Sequence, residues 1–286
     1  MPLVSMTDML KKAQAGKYAV GAFNILDYNS YKAVVRAAEK LSAPVIVQTS
    51  VKTVIFWGPE TVMNWTRELA EPASVPVALH LDHCKDVEYI RTCIDAGWSS
   101  VMIDASSRPF EENMELSRIV MEMAKPHGVS VEAELGAIGG VEDDISVADD
   151  DARLANPEKA RIFCEALPLD CFAPAIGTAH GLYKGEPKLD FDRLAIIAET
   201  TGVPLALHGG TGLSEDVFKK CIGLGCAKVN ISTQLKHILI DSFTGYHAAH
   251  PSEYNPLKVL GAQFDALVEG VAEKIRLFGG AGTVIS

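Results

Sequence analysis

Eight short β-rich runs recur along the chain, and the stretches between them space their apolar residues as helices do; this alternation most limits the fold. The runs are "YAVGAFN", "APVIVQTS", "VPVALHLDH", "SSVMIDAS", "VSVEAELG", "DCFAPAIGT", "VPLALHGG" and "CAKVNIS". Helical spacing shows in Val87, Ile90 and Ile94, and in Met114, Leu116, Ile119, Val120 and Met123. Strands that alternate with helices pair in parallel through right-handed crossovers, and eight such units can close into a (β/α)8 TIM barrel. A doubly wound open sheet is the competing arrangement. The barrel is favoured because polar residues recur at or just past the strand ends: Asn24, Ser50, Asp82, Asp104, Glu134, His180, His208 and Asn230. In α/β barrels that end carries the chemistry. The expectation is a single α/β domain spanning residues 1–286.

Side-chain alternation separates an inner from an outer set. In "VALHLDH", Val77, Leu79 and Leu81 share one side, and Ala78, His80 and Asp82 the other. If the aliphatic side meets the helices, His80 and Asp82 point into the barrel. The same count turns Met102, Asp104, Glu132, Glu134, His208, Lys228 and Asn230 inward.

A catalytic zinc commonly takes three protein ligands and keeps one position open. His83, His180 and His208 fall at neighbouring strand ends and fit that need, whereas His127, His237, His247 and His250 lie in helical contexts. The plain alternative for any one of them is a hydrogen-bonded structural histidine. Asp82 should face the cavity as a proton-exchanging carboxylate, or else orient a metal-bound histidine. Asp104 and Glu134 would bind a second cation, orient the first, or form a buried carboxylate network.

The glycine-rich "GTAHGLYKGEPK" and "HGGTG", followed by "KVNIST", stand where such barrels often hold phosphate on backbone N–H groups. Gly209, Gly210, Thr211, Ser232 and Thr233 are the candidates, although glycines this frequent also suit ordinary turns. After the fifth strand an acidic link runs from Glu142 to Asp151. It suits a solvated loop, or a lid that brings Glu142 to a substrate.

A formal charge of −11 argues against general attraction to nucleic acid or an anionic membrane, so an anionic substrate would be held locally. The N-terminus lacks a secretory pattern and suits an amphipathic helix; no window approaches ~18 consecutive apolar residues. A cytoplasmic protein is expected, with its six cysteines as free thiols, mostly in the core.

In combination, "LHLDHCKD", "VEAELGAIGGVEDDISV", "AIGTAHGLYKGEPKLDFDRL", "PLALHGGTG" and "KVNISTQLK" resemble successive signature segments of the class II, zinc-dependent ketose-bisphosphate aldolases. The resemblance runs over essentially the whole chain, and "GGVEDDISV" is most similar to the tagatose-bisphosphate branch. It implies reversible cleavage of a ketose phosphate to dihydroxyacetone phosphate and an aldehyde through a zinc-stabilised enediolate. Carried over by position, it makes His83, His180 and His208 the zinc ligands, with Asp104 and Glu134 near a second divalent position. Gly181, Gly209, Gly210, Thr211, Asn230, Ser232 and Thr233 would hold the dihydroxyacetone phosphate end, and Asn24, Ser50 and Lys184 would line the same pocket. Asp82 would exchange the C4 hydroxyl proton and Glu142 the C1 proton. The resemblance also implies a monovalent cation, Na+ or K+, beside the phosphate, and a homodimer or homotetramer.

The chain departs from that pattern in places. "NIST" has Ser232 where the fructose branch has Asp and the tagatose branch Ala, and "VMIDAS" replaces "MIDGS". Thr283 stands where the family ending often has Arg, and "QTSVKTVIFWG" is bulkier and less polar than its counterpart. These differences point to a substrate whose distal group differs from a standard phosphate. A metal-dependent hydrolase competes through "HLDH", but Ala78 breaks the fuller H-x-H-x-D-H pattern. A catalytically silent subunit of an aldolase complex is the remaining alternative.

Overall fold

The structure is a computed structural model that describes residues 3–142, 145–147, 154–181, 183, 185 and 187–284. In chain order its strands are β1 (Val20–Asn24), β2 (Val45–Ser50), β3 (Val77–Cys84), β4 (Ser100–Ile103), β5 (Ser130–Leu135), β6 (Gly139–Glu142), β7 (Ile145–Val147), β8 (Cys171–Pro174), β9 (Ala179–His180), β10 (Leu205–Leu207) and β11 (Cys226–Ile231). Eight of them close a parallel barrel in the order β1-β2-β3-β4-β5-β8-β10-β11, with β11 returning to β1. These are the eight runs expected from sequence, and closure rules out the open sheet.

Alternation divides the residues as the pleat requires. Val77, Leu79 and Leu81 join the large cluster between strands and helices, with Val45, Val47, Val101 and Ile103. The inner positions at the opposite end of the barrel are mostly small: Ala22, Ala78, Ala173, Ala206 and Ala227. The N-terminal helix α1 (Thr7–Gly16) fills the space they leave with Met9, Leu10 and Ala13. So that end is a dry plug. Above it the inner positions turn polar, with Gln48, His80, Glu132 and Lys228 all fully buried.

The link after β5 differs from a plain solvated loop. Its β6 and β7 pair antiparallel, and β6 pairs with β9 to give a separate three-stranded sheet. The C-terminal tail also lies elsewhere than the substrate argument needs. Gly282 N–H donates to Leu41 O and Val284 N–H to Ser42 O, just before β2 begins, so Thr283 sits at the end of the barrel opposite the polar strand ends. Within one chain it cannot reach a substrate there. None of the six cysteines forms a disulfide, and five are buried. Among the described residues no helix is long and apolar enough to cross a membrane.

Candidate active site

Most of the polar residues picked out in the sequence meet at the C-terminal ends of the strands. His83, His180 and His208 are buried there, each presenting a ring nitrogen within 4.8 Å of the others. Their rings stand 4.6 to 6.2 Å apart, and His208 Nδ1 faces His83 Nε2 at 2.8 Å.

Two of these histidines arrive by routes that alternation does not give. A register irregularity between Leu81 and Cys84 interrupts the pairing of β3 with β4, and within it His83 takes φ +47°. That left-handed conformation is disfavoured for a non-glycine residue and persists where surroundings over-determine it. It brings His83 to the mouth although it follows the inward Asp82 directly. His180 lies beyond β8, on β9 of the small sheet, and Gly140 of β6 pairs with it. The strand that ends in Glu142 is thus tied to His180; the Glu142 side chain lies outside the described residues. Lys184 also lies outside them.

Each imidazole has its own electrostatic setting. Burial disfavours charge on His208 and pulls its pKa down, against the hydrogen bond from Nε2 to Glu132 Oε1 at 2.7 Å. Burial and the neighbouring His83 and His208 take His180 well below its ordinary value. His83 differs: burial opposes its charge, but the carboxylates of Asp82, Asp104 and Glu134 outweigh that and push it up to about 10. Its Nδ1 lies 3.2 Å from Asp104 Oδ2 and 3.8 Å from Glu134 Oε2. A field that favours a proton on His83 favours a metal cation at the same place. Asp104 is held below the usual carboxylate range by His83 and Ser106 despite burial. Glu134 is pushed up to about 8 by burial and by Asp104 beside it. His83, Asp104 and Glu134 form a second group able to hold an ion.

Asp82 accepts from two amides, Asn24 Nδ2 at 2.9 Å and Asn230 Nδ2 at 3.2 Å. Burial would raise its pKa, but His83, Lys228 and His208 outweigh that and bring it to about 2, so it is ionised. Sequence reasoning gave no role to Gln48, whose Nε2 donates to Asn24 Oδ1 at 2.8 Å and so turns the Asn24 donor toward Asp82. The inward count did find Glu132 and Lys228, but without a task. Ser50 caps the helix Val51–Trp57, accepting from Thr53 N–H at 3.3 Å.

The glycine loops are built for close approach. Gly209 has φ +66°, and a Cβ there would meet Ala179 O at 2.4 Å; at Gly210 one would meet Asn230 O at 2.9 Å. The first two residues of "HGGTG" after the histidine must therefore lack side chains for β9 and β11 to pack against them. Gly181 precedes the tie that Tyr183 makes, its hydroxyl accepting from Ala179 N–H at 3.1 Å and donating to Gly209 O at 2.8 Å. Thr211 and Ser232 are buried nearby, and Thr233 opens the helix Thr233–Ala249, which begins directly after β11. The buried Ser232 Oγ has no hydrogen-bond partner within the described chain.

So many buried ionisable groups at one end of a closed barrel would be a burden to an inert scaffold; they point to an enzyme of the (β/α)8 class with three imidazoles close enough together to hold a metal ion. Comparison with known proteins narrows this. The profile of the class-II fructose-bisphosphate aldolases matches residues 4–283. The chain is 43% identical over 285 residues to a fructose-bisphosphate aldolase of Geobacillus stearothermophilus, covering 99% of each. It is 38% identical over 279 residues to a sulfofructosephosphate aldolase of Alkalicoccus urumqiensis, covering 98% of this chain and 97% of that one. The crystal structure of the YdjI aldolase from Escherichia coli K12 superimposes with a TM-score of 0.88 at 31% identity, over 99% of this chain and all of that one. The chain belongs to the class-II fructose-bisphosphate aldolase family, and it is an aldolase, a carbon–carbon lyase.

Replacing Tyr183 with Phe removes the hydroxyl that joins Ala179 to Gly209. A loss of about 1 kcal/mol in urea unfolding of the metal-free protein is expected, and no loss would show that the tie contributes nothing.

Proposed function

We propose that the protein cleaves a ketose 1-phosphate reversibly into dihydroxyacetone phosphate and an aldehyde, with zinc held by His83, His180 and His208. The observation that carries this reading is the convergence of three buried imidazole nitrogens within 4.8 Å, beside an ionised Asp82. Three nitrogen donors suit zinc, with a further position left for substrate. When bound, zinc supplies the Lewis acidity that stabilises charge developing on the substrate carbonyl oxygen.

The chain's own residues do the rest. Asp82 takes the C4 hydroxyl proton in cleavage and returns it in synthesis, held in line by the Asn24 and Asn230 amides. Glu142 exchanges the C1 proton from the strand that pairs with β9. Gly181, Gly209, Gly210, Thr211, Ser232 and Thr233 receive the phosphate with backbone and hydroxyl donors, aided by the N-terminus of the helix Thr233–Ala249. Lys184 and Ser50 complete the pocket.

Fructose- and tagatose-1,6-bisphosphate are the leading substrates. A second reading is a ketose 1-phosphate with another distal group. It is supported by the exposed apolar Ile55, Phe56 and Trp57 on the helix Val51–Trp57, which starts at the mouth, and by the relative named for sulfofructosephosphate. The Thr283 departure no longer supports it.

A second divalent position among His83, Asp104 and Glu134 belongs to the same proposal, supported by that cluster of donors. The monovalent Na+ or K+ beside the phosphate rests on the family resemblance. A homodimer or homotetramer is supported by the exposed Ile240, Phe243, Tyr254 and Leu257 around the helix pair Thr233–Ala249 and Pro256–Leu277. Free buried thiols support a cytoplasmic location.

Asp82→Asn is expected to retain its zinc and lose about 10²- to 10⁴-fold in kcat across a panel of ketose phosphates assayed for dihydroxyacetone phosphate release. Zinc lost together with activity would make Asp82 a support for the ligands instead. Because His83 is charged up to about pH 10 in the metal-free protein, zinc must displace its proton. Calorimetry at pH 8 in buffers of different ionisation enthalpy should show at least one proton released per zinc; none released would remove His83 from the ligand set.

A further inference from the structure

A lysine ammonium inside a barrel is costly unless acceptors meet it. Lys228 is fully buried on the inner side of β11. Its Nζ lies 3.0 Å from Glu132 Oε2 and donates to Asn230 Oδ1 at 2.7 Å. Those two acceptors lead to different parts of the mouth.

An ammonium has three donors and no acceptor, so whatever faces it must accept. Asn230 therefore turns Oδ1 toward Lys228, which leaves Nδ2 to donate to Asp82 Oδ1 at 3.2 Å. With the amide reversed, Asp82 would meet an oxygen and lose a donor. Glu132, with Oε2 on Lys228, presents Oε1 to His208 Nε2 at 2.7 Å. A carboxylate only accepts, so Nε2 carries the hydrogen and the lone pair is left on Nδ1, the nitrogen that faces His83.

We propose that Lys228 is a positioning residue for the aldol reaction: one ammonium sets the tautomer of His208 through Glu132 and the amide orientation that presents Asn230 to Asp82. The inference rests on the roles proposed above for His208 and Asp82. The bland alternative is that Lys228 only offsets the buried charge of Glu132.

Two variants separate these. Lys228→Met leaves Glu132 uncompensated and should lose both stability and activity. The double variant Lys228→Met with Glu132→Gln removes the charge imbalance, and with it the donor-only partner of Asn230 Oδ1 and the accept-only partner of His208 Nε2. It should fold with an unchanged circular dichroism spectrum and bind zinc about 10- to 100-fold more weakly in competition with a chelator. At saturating zinc its kcat should fall by a similar factor, with KM within about threefold. A folded double variant whose zinc affinity and kcat both stay within about threefold of the unaltered enzyme would overturn the proposal. If neither variant folds, ring ¹⁵N shifts of the unaltered zinc-loaded enzyme decide: hydrogen on Nε2 of His208 and metal at Nδ1 support the proposal, and the reverse overturns it. Zinc binding and turnover by the unaltered enzyme test the underlying reading separately.

Discussion

Four carboxylates, those of Asp82, Asp104, Glu132 and Glu134, sit in one end of the barrel with almost no exposure, and the site is organised by what offsets them. Lys228 meets Glu132, two amides and the nearby cations hold Asp82, and His83 lies against Asp104 and Glu134. The acid excess around His83 keeps it protonated in the metal-free protein. A divalent ion on the three imidazoles would answer the same excess more fully, which links the charge balance of the barrel to its chemistry.

The dry plug at the other end matters to this arrangement. Small inner residues on the strands and the apolar face of α1 close the barrel below, so the polar layer has water on one side only. Donors fixed in such surroundings act at short range and need little reorganisation as charge develops. The small sheet adds a mechanical element: β6, which ends in Glu142, and β9, which holds His180, are hydrogen-bonded neighbours.

Much of this was legible in the sequence, because strand periodicity and the polar residues at strand ends are local signals. All eight barrel strands and the inward set of Asp82, Glu134, His208 and Asn230 follow from counting alone. His83 does not, since a pleat of period two sends it away from Asp82; only the irregularity in β3 and its positive φ bring it back. The pattern of "DCFAPAIGT" suggests a strand end near His180, but His180 stands on a separate strand that no local pattern announces. That Thr283 stands where the family ending often has Arg says nothing about which end of the barrel it reaches, and the fold puts it at the far one. Gln48 and Tyr183 act through partners distant in sequence, so their hydrogen bonds could not be seen before the fold was known.

On the reading proposed here, the buried imidazoles and their carboxylate partners form one zinc site. Crystals of the zinc-loaded protein, measured at the zinc absorption edge, test it most directly. An anomalous peak is expected within about 2.0–2.3 Å of nitrogens from His83, His180 and His208, with Nδ1 the ligand atom of His208. A fully loaded protein with no peak among these three residues, or with zinc bound elsewhere, would contradict it.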